Sequence, residues 1–596
     1  MYILGLNIGH NSTACLLKDG KIVGCISEER FSRIKNNFGF PSKSINFLLK
    51  SNSINLGSIS LIVTTDDAAY PKDMKPYRPS DADKAYMIRN QRGLRRLEGL
   101  IGLYQPNLLK KVNSTKGLLK NILKNQMTKT KRDNLVKDLI CHYLGNEVRK
   151  KIILVNHHKL HALSPCFNLD DRKDWLIITL DGVGGGLSGS IRIYSGHRLK
   201  SVSRIDGYDS LGHFYAVITH CLGMRQNEHE FKVMGLAPYA KTKEVNRVYD
   251  ILKPYFIVDE ENLNVHLNFI PYPSTSELFR KEFIIERNER FDNIAGGVQK
   301  LLEEVILKLV SASIKKTRIG NIAVSGGVFM NVKVNQKICE LPNVRDIFIM
   351  PSAGDESNAI GACFYGYQIY CEKNHITFEP KPFEDLYLGP EYDDKYIKNL
   401  IEKRNLERKY VIEKPNNVNK AIAKLLSEGE IVARCSGKSE FGARALGNRS
   451  ILANPKDKDT IPILNELIKD RDFWMPFTPS ILDKDEKRYI ENPKRIKAPY
   501  MVLTFNSTKL AREHLPAAMH PYDFTIRPQI VYKDWNLDYY EIISEFKRLT
   551  GMGAILNTSF NLHGEPNVLS PEDALHTVEN SGLKYLALGS YLLKKK

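Results

Sequence analysis

Residues 175–199, WLIITLDGVGGGLSGSIRIYSGHRL, combine an apolar strand, a glycine turn beside Asp181 and a second strand. A similar block opens the chain, where the apolar run YILGLNIGH at 2–10 precedes STACLLKDGKIVGCISEE at 12–29. In the latter, Asp19-Gly20 is a hairpin signal between two strands. Two strand-and-hairpin blocks in one chain predict an α/β domain built from two related halves.

This duplication is typical of the actin, sugar-kinase and heat-shock ATPase (ASKHA) class. In that class nucleotide phosphates lie between the halves, where glycine loops let backbone N–H groups approach them. The candidate phosphate loops are TLDGVGGG, which contains Asp181 and Gly182, and VSGGV, which contains Gly326 and Gly327. A glycine pair after a strand is also common in ordinary turns, so neither loop alone identifies a nucleotide site.

A composition shift at 373–394, KNHITFEPKPFEDLYLGPEYDD, indicates an interdomain linker rich in proline, aromatic and acidic residues. We therefore expect two domains, at 1–378 and 379–596. The first contains a basic helical insertion at about 70–148.

The net charge of the 596 residues is +19, which makes a polyanion a plausible partner. Between Glu98 and Asp133 the chain has no acidic residue, yet it carries several bases there: Lys110, Lys111, Lys116, Lys120, Lys124, Lys129, Lys131 and Arg132. Two interpretations of Lys110–Arg132 stay open, a solvated helical face and an anion-binding surface.

Cysteine usage and the N-terminus favour a cytoplasmic protein. The nine cysteines are scattered without a Cys-x-x-Cys pair, which indicates reduced thiols and argues against zinc ribbons. The opening MYILGLNIGHN lacks a basic segment ahead of its apolar run, and no run has the length of a membrane-spanning helix. We expect no contact with a membrane.

The stretch VNHHKLHALS at 155–164 places His157 and His161 four residues apart. In a helix both imidazoles lie on one face and could hold one transition metal, as the paired histidines of zinc helices do. The alternative is a polar helix start with hydrogen-bonded histidines. Two ligands do not close a metal site, so a third must come from elsewhere in the chain.

The second domain concentrates positive and amide side chains among glycines. These candidates for a nucleotide and carbamoyl-phosphate site are Lys438, Arg444, Arg449, Lys469, Arg471, Arg527, Asn557, Ser559 and Asn561. A guanidinium fork binds phosphate oxygens in pairs, and glycine permits close approach. Structural ion pairs are the alternative for any one of these arginines.

Together these strings resemble the O-carbamoyltransferases of nodulation-factor and cephalosporin biosynthesis, which include the tobramycin carbamoyltransferase. The resemblance runs from LGLNIGHNSTACLLKDGKIV and SEERFSRIK, through NHHKLHALS, FKVMGLAPYA, VSGGVFMN and PSAGDESNAIGA, to GARALGNRSIL, WMPFTPS, RPQIV and NTSFNLHGEP. It implies an N-terminal domain like the tRNA threonylcarbamoyl transferase, and a C-terminal YrdC-like domain.

The resemblance also implies cofactors and site residues. Asp355 joins His157 and His161 as the third ligand of a metal, with iron expected and manganese or zinc as alternatives. The C-terminal domain is expected to join carbamoyl phosphate to ATP, with Mg²⁺, and make carbamoyl adenylate. Adenylate in the N-terminal domain would contact Asp181, Gly182, Gly326, Gly327 and Asn331.

The N-terminal domain is expected to pass the carbamoyl group to an acceptor hydroxyl and release AMP. His10, with an ordinary pKa near 6.5, is the candidate base for that hydroxyl. Lys35 and Lys232 could neutralise the leaving phosphate. A structural role beneath the first turn is the alternative for His10.

The chain departs from the family pattern at several positions. Asn11 replaces a frequent aspartate, Gly185 stands where Asp-Gly-x-Gly-Glu has its acid, and Met475 and Lys438 stand where arginine is usual. The acceptor is therefore open. The basic segment favours a hydroxymethylated pyrimidine in DNA, such as 5-hydroxymethylcytosine, reached by base flipping; a saccharide or small natural product is the alternative.

Two other functions compete with O-carbamoyl transfer. A tRNA threonylcarbamoyl transferase shares both folds and also meets a polyanion, although EERFSRIK and NTSFN look specific to the O-carbamoyltransferases. An actin-like ATP-binding regulator without turnover is the non-enzyme alternative. Release of pyrophosphate that depends on carbamoyl phosphate would separate that regulator from an enzyme.

Overall fold

The computed structural model describes residues 1–67, 129–267, 279–469, 472 and 474–596. These residues form two compact units. The first unit comprises Met1–Ile22 and Asn37–Pro382, and the second comprises Val23–Asn36 and Phe383–Lys596. A short segment near the N-terminus thus belongs to the unit that is otherwise C-terminal. Most of the basic insertion predicted at about 70–148 lies outside the described residues.

Elements up to residue 382 alternate between strands and helices. The strands are β1 (Tyr2–Asn7), β2 (Thr13–Lys18), β3 (Lys21–Ser27), β4 (Ile59–Thr65), β5 (Ile152–Val155), β6 (Trp175–Gly184), β7 (Leu187–Ser195), β8 (Arg198–Asp206), β9 (Phe256–Asp259), β10 (Asn264–Leu267), β11 (Asn321–Ser325) and β12 (Asp346–Ile349). The α-helices are α1 (Glu29–Ser32), α2 (Ser42–Ser51), α3 (Lys129–Leu144), α4 (His157–Leu163), α5 (Leu211–Cys221), α6 (Glu230–Leu236), α7 (Thr242–Leu252), α8 (Phe291–Thr317), α9 (Val332–Glu340) and α10 (Asn358–Asn374).

The twelve strands described up to residue 382 include two five-stranded sheets with the same topology. Their orders are β3-β2-β1-β4-β5 and β8-β7-β6-β11-β12, so each half follows the order 3-2-1-4-5 counted from its own first strand. In each sheet the first strand forms a hairpin with the second and pairs in parallel with the fourth. The duplicated ASKHA-like fold predicted from the two strand-and-hairpin blocks is confirmed.

Helix α10 packs unusually close to β1 and α4. A Cβ on Gly5 of β1 would overlap the carbonyl oxygen of Ala359, and one on Gly361 of α10 would overlap the carbonyl oxygen of Leu160 in α4. Glycine lets these backbones touch where any side chain would separate them. The contact fixes α4, which carries the paired histidines, against α10.

The second unit is a mixed α/β layer. Its remaining strands are β13 (Tyr410–Glu413), β14 (Val432–Cys435), β15 (Arg449–Ala453), β16 (Thr478–Leu482), β17 (Ile490–Glu491), β18 (Phe505–Ser507), β19 (Thr525–Ile526), β20 (Gln529–Val531), β21 (Ala554–Ser559), β22 (Tyr585–Leu588) and β23 (Tyr591–Lys595). Its helices are α11 (Asp394–Lys403), α12 (Val418–Ser427), α13 (Thr460–Leu464), α14 (Glu486–Tyr489), α15 (Lys509–His514), α16 (Leu537–Thr550) and α17 (Pro571–Glu579).

Eight strands form the main sheet of the second unit, in the order β13-β23-β22-β14-β15-β21-β16-β20. Two hydrophobic clusters draw on this sheet, one packed with α11 and α17 and the other with α12 and α16. Strands β15 and β21 pair at the centre, which brings the loops around residues 436–448 and 560–567 to neighbouring positions.

Two observations bear on the compartment. All nine cysteines are free and buried. Among the described ranges, no helix combines the length and the apolar composition needed to cross a bilayer.

Candidate metal centre and active site

The residues of the candidate site in the first unit lie at or just after the carboxyl ends of parallel strands. His10 follows β1, Asp67 follows β4 and His157 follows β5 in one sheet; Asp181 lies near the end of β6, Gly326 follows β11 and Asp355 follows β12 in the other. Because parallel strands end at the same edge, residues distant in sequence meet there.

His157 and His161 face each other on α4. Asn156 caps this helix by accepting a hydrogen bond from the backbone N–H of Lys159. The two Nε2 atoms lie 3.0 Å apart and both rings are buried. The helical spacing therefore directs both ligand nitrogens at one point.

Two carboxylates complete this cluster. Asp355 Oδ1 lies 3.3 Å from Nε2 of His157 and 3.5 Å from Nε2 of His161. Asp181 Oδ2 lies 3.5 Å and 3.9 Å from the same atoms. One ligand atom from each of the four residues lies within 4.8 Å of the others. Sequence reasoning assigned Asp181 to adenylate binding, and the structure places it beside the three predicted metal ligands.

The opposite ring nitrogens have partners of their own. His157 Nδ1 lies 3.4 Å from Asp67 Oδ2, and His161 Nδ1 lies 3.1 Å from the hydroxyl of Ser357. Partners at Nδ1 fix each ring orientation and leave Nε2 for a ligand, which is the usual arrangement behind metal-binding histidines. His158 points elsewhere, because its ring nitrogens contact Thr179 Oγ1 and the carbonyl oxygen of Leu187.

The electrostatics of the cluster favour ionised carboxylates. Burial alone would raise the pKa of Asp355, but the neighbouring imidazoles of His10, His157 and His161 outweigh burial and hold that pKa well below its ordinary value. Burial also opposes ionisation of Asp67, yet the charge of His157 and the backbone N–H of Gly185 lower its pKa to about 2. Both groups therefore carry negative charge at neutral pH.

The donor set fits a transition metal ion. Asp355 Oδ1 is buried and has no hydrogen-bond donor within the described part of the chain, although it is the carboxylate oxygen nearest to both Nε2 atoms. Two imidazole nitrogens and two carboxylate oxygens converge, and all four are electron-pair donors. Such a set suits Fe²⁺, Mn²⁺ or Zn²⁺.

His10 lies at the border of this cluster. Its Nδ1 is 3.5 Å from Asp355 Oδ2, and its side chain is 41% exposed. Burial of the ring lowers its pKa, but Asp355, Glu356 and Asp181 outweigh burial and raise it. The neighbouring Asn11 donates to Glu356 Oε2 at 3.3 Å. An aspartate at position 11 would place one carboxylate against another, which accounts physically for the amide there.

Two glycines shape the wall next to His157. A Cβ on Gly184 would overlap the imidazole ring of His157, so this position requires glycine for close approach. Gly185, with φ of 58°, donates its N–H to Asp67 Oδ2 at 2.6 Å. The acid expected at 185 by resemblance is absent, and the carboxylate of Asp67 lies there instead.

Of the residues predicted to contact adenylate in the first unit, some lie close to Asp181 and others make contacts of their own. Gly327 donates its N–H to Asp181 Oδ1 at 2.9 Å, and Gly326 adopts φ of 102° at the turn after β11. Gly182 accepts from the hydroxyl of Ser210. Asn331 caps α9 and exchanges hydrogen bonds with Gln299, so its amide serves the fold.

The two predicted lysines lie in different units. Lys232 is half-buried in α6 of the first unit. Lys35 is half-buried too, but it lies within Val23–Asn36 of the second unit. Their shared role at a leaving phosphate stays a prediction.

In the second unit Arg449 and Glu440 organise the loop after β14. Arg449 is buried, and its guanidinium donates to the carbonyl oxygens of Leu569, Ser436, Gly437, Asn448 and Pro390. Glu440 Oε1 accepts from three backbone N–H groups between residues 446 and 449. This geometry favours Arg449 as the support of the loop; direct contact with a ligand stays a prediction.

The remaining predicted residues occupy several loops of that unit. Lys438 is exposed, whereas Arg444 and Arg527 are half-buried. Asn557 is fully buried and donates to Ala445 O, Ser480 Oγ and Gln529 Oε1. Ser559 donates to Asn561 Oδ1 at 2.6 Å. Lys469 ends a π-helical stretch, Asn465–Lys469, and Arg471 lies outside the described residues.

Comparison with known proteins shows the family to which the chain belongs. The model for the carbamoyltransferase N-terminus matches residues 2–364, and the model for the carbamoyltransferase C-terminus matches residues 423–595. The chain belongs to the carbamoyltransferase family. It is therefore an enzyme of carbamoyl transfer, and the family resemblance drawn from its sequence strings is confirmed.

Related proteins cover most of this carbamoyltransferase. An uncharacterized protein of Methanocaldococcus jannaschii is 30% identical over 100% of this chain and 99% of its own length. Nodulation protein NolNO of Sinorhizobium fredii is 28% identical over 98% of this chain and 79% of its own, and nodulation protein NolO of Bradyrhizobium diazoefficiens is 30% identical over 74% and 79%.

Solved structures are more distant. HypF from T. kodakarensis shares 15% identity and a TM-score of 0.31 over 64% of this chain and 50% of its own. Component A of the (R)-2-hydroxyglutaryl-CoA dehydratase of Acidaminococcus fermentans shares 14% identity and a TM-score of 0.30 over 62% and 98%.

Sequence reasoning missed several residues of these sites. Asp67 had one signal, since two acids directly follow the apolar strand LIVTT at the edge where parallel strands end. Asn358, whose amide lies 3.4 Å from both histidine Nε2 atoms, had none. Arg30 and Arg33 appeared only within the string SEERFSRIK, without an assigned role.

Proposed function

We propose that this carbamoyltransferase works in two steps, each in its own unit. The second unit makes carbamoyl adenylate from carbamoyl phosphate and ATP. The first unit transfers the carbamoyl group to an acceptor hydroxyl and releases AMP. The observation that carries this proposal is the separation of two chemically different sites, a His/Asp cluster in the first unit and an arginine-rich loop system in the second.

The first step must balance in atoms. Water cleaves carbamoyl phosphate to carbamate and inorganic phosphate, and a carbamate oxygen then attacks the α-phosphorus of ATP, from which pyrophosphate leaves. Carbamoyl phosphate and ATP are both anions and repel each other, so the site must supply positive charge and positioning. Lys438, Arg444 and Arg527, with Mg²⁺ on the nucleotide, are the groups we assign to that task.

Amides and hydroxyls of the second unit would orient the carbamate. Asn557, Ser559 and Asn561 lie on or directly after β21, next to the loop that Arg449 supports. A carbamate offers N–H donors and oxygen acceptors, and these side chains match both. Ser559 and Asn561 already form one hydrogen-bonded pair, which limits their freedom before substrate binds.

In the second step the acceptor hydroxyl loses a proton as the carbamoyl–phosphate bond breaks. His10 is the group we assign to that proton, because its half-exposed ring meets both solvent and the buried cluster. His157, His161, Asp355 and Asp181 would hold the metal, which we propose to be iron. When bound, that ion supplies Lewis acidity beside the carbamoyl adenylate.

The charge around His10 favours a neutral or cationic acceptor, such as a saccharide or another small hydroxyl compound. Asp181, Asp355 and Glu356 all influence His10 electrostatically, and Asp67 lies behind His157. These four carboxylates make the surroundings of His10 acidic, which disfavours an acceptor that brings many phosphate charges of its own.

A hydroxymethylated pyrimidine in DNA is the second candidate acceptor. The observation that favours it is the acid-free segment 99–132 in a chain of net charge +19. That segment lies almost entirely outside the described residues. The two acceptors differ in whether binding depends on salt.

Isotope exchange tests whether the two proposed steps take place at separate sites. Wild-type protein with carbamoyl phosphate and ATP, but no acceptor, should exchange labelled pyrophosphate into ATP. Arg444→Ala should lose the exchange, because a phosphate-binding charge is removed. His157→Ala should keep it and lose only carbamoyl transfer. Loss of exchange in a folded His157→Ala protein would show that the two sites are not separate.

A further inference from the structure

Residues 23–36 are a built-in part of the second unit, although they precede it by more than three hundred residues in sequence. The backbone N–H of Cys25 donates to Leu388 O at 3.2 Å. Arg30 is buried and donates from Nη2 to Gly442 O at 2.7 Å. The segment therefore contacts the loop between β14 and β15, which holds Lys438 and Arg444.

Arg33 contacts a different loop, the one after β21. Its Nη1 donates to Asn567 O at 2.7 Å, and its Nη2 donates to Pro566 O at 2.8 Å and Glu565 Oε2 at 3.3 Å. Its Nε lies 3.8 Å from Asp573 Oδ1. Pro566 and Asn567 are buried, so one guanidinium satisfies two adjacent buried carbonyl groups.

The same loop carries the predicted substrate residues at its other end. Asn561 Nδ2 donates to Glu565 O at 2.8 Å, and the hydroxyl of Ser559 donates to Asn561 Oδ1. The backbone N–H of Val568 donates to Phe560 O at 2.9 Å and closes the loop. Arg33 and Asn561 thus hold the same short stretch, residues 565–567, and Asn561 also accepts a hydrogen bond from Ser559.

The backbone conformation of Arg33 is one that a non-glycine residue adopts only at an energetic cost. Arg33 caps α1 with φ of 61°, in the left-handed region. A glycine would relieve that strain and remove the guanidinium. The contacts on the 559–567 loop offset the strain here.

We propose that Arg33 is a positioning residue of the adenylate-forming site, which fixes the 559–567 loop so that Ser559 and Asn561 meet the substrate. The proposal rests on the function proposed for the second unit. The SEERFSRIK segment would then contribute to substrate binding in that unit through Arg33. Arginine suits the role because its planar fork reaches two carbonyl groups at once, which a lysine ammonium does less well.

Three full-length variants test this role. Arg33→Gly removes the guanidinium while relieving the backbone, and Arg33→Lys keeps the charge. Arg318→Gly is the matched control, because Arg318 is exposed and caps α8 in the same left-handed conformation, with φ of 60°. Pyrophosphate exchange gives KM for carbamoyl phosphate and ATP, and hydrogen–deuterium exchange reports the mobility of residues 559–567.

Arg33→Gly should raise one or both KM values by roughly tenfold or more, with kcat changed less than about threefold, because a displaced binding loop weakens substrate binding. Deuterium uptake in 559–567 should rise in Arg33→Gly, rise less in Arg33→Lys and stay unchanged in Arg318→Gly. Unchanged uptake in Arg33→Gly, or raised uptake with unchanged KM, would overturn the proposal. If wild-type protein shows no exchange at all, the proposed function of the unit fails, whereas deuterium uptake still decides whether Arg33 fixes the loop.

Discussion

Asp67 lies behind one of the proposed metal ligands and is not itself one of them. Its carboxylate lies behind His157, at the nitrogen opposite Nε2, and accepts the backbone N–H of Gly185. A carboxylate at that nitrogen fixes the imidazole tautomer and makes the ring a stronger ligand. The family pattern has an acid at position 185, and in this chain the carboxylate of Asp67, two residues after β4, accepts a hydrogen bond from the backbone of Gly185.

Replacing this charge with an amide of the same shape isolates its effect. Asp67→Asn should weaken metal binding by about 10- to 100-fold, because the neutral amide polarises His157 less. Competition with a coloured chelator measures the affinity, and elemental analysis measures the metal content. Asp171→Asn is the matched control, since Asp171 pairs with His197 at 2.9 Å on the surface. Equal affinities for Asp67→Asn and wild type would exclude the role.

Among the site residues, the sequence predicted those whose arrangement follows from their spacing within one helix. The i, i+4 pair His157 and His161 was predicted from helical geometry alone, and the structure brings both Nε2 atoms together. Asp355 needed the family resemblance. The position of Asp181 beside the two histidines was not predicted, because spacing along the chain does not tell which strand ends meet across two sheets; its contact with adenylate stays a prediction. Phosphate binding by Arg449 stays a prediction, whereas its role as the support of a loop follows from five carbonyl contacts that the sequence does not reveal.

The close contact between helices α4 and α10 positions the residues of the candidate metal centre. Helix α4 carries both histidines, and α10 begins beside Ser357, which contacts His161 Nδ1. The two helices touch at Gly361, whose Cα faces the carbonyl oxygen of Leu160. A change in their separation therefore moves the histidines relative to Asp355 and Asn358.

Gly361→Ala tests that dependence. The added methyl would overlap a backbone oxygen that no rotamer change can move, so the free energy of unfolding should fall by about 1–3 kcal/mol. Metal content should fall as well. Urea denaturation of the metal-free protein measures the first effect, and elemental analysis the second. Lys373→Ala, at an exposed site of the same helix, should change neither. Unchanged stability in Gly361→Ala would mean that the crossing can relax.

Strand and hairpin prediction succeeded where turn chemistry is explicit. Asp19-Gly20 joins β2 to β3, and the glycine turn at 184–186 joins β6 to β7. Turn chemistry could not predict that residues 23–36 belong to the second unit. Their membership of the second unit depends on side chains such as Arg30 and Arg33, which find carbonyl partners more than four hundred residues away.

The whole chain is positively charged, whereas the candidate site beside His10 is acidic. The net charge is +19, yet the cluster beside His10 is rich in carboxylates. Positive charge at a distance from the transfer site would speed the approach of anions such as carbamoyl phosphate and ATP. An acidic transfer site would select an acceptor without phosphates. A high positive charge on the chain is therefore compatible with a small acceptor.

The identity of the acceptor follows from one experiment. Protein, ATP and carbamoyl phosphate are incubated with an oligosaccharide and aminoglycoside panel and, separately, with DNA that contains 5-hydroxymethylcytosine. Mass spectrometry should find a gain of about 43 Da, the replacement of H by CONH₂, on a small acceptor. The same gain on DNA, together with DNA binding that weakens about 10³- to 10⁵-fold between 50 and 200 mM salt, would instead identify a nucleic-acid enzyme. That outcome would contradict the acceptor inferred from the carboxylates around His10, while carbamoyl transfer itself would stand.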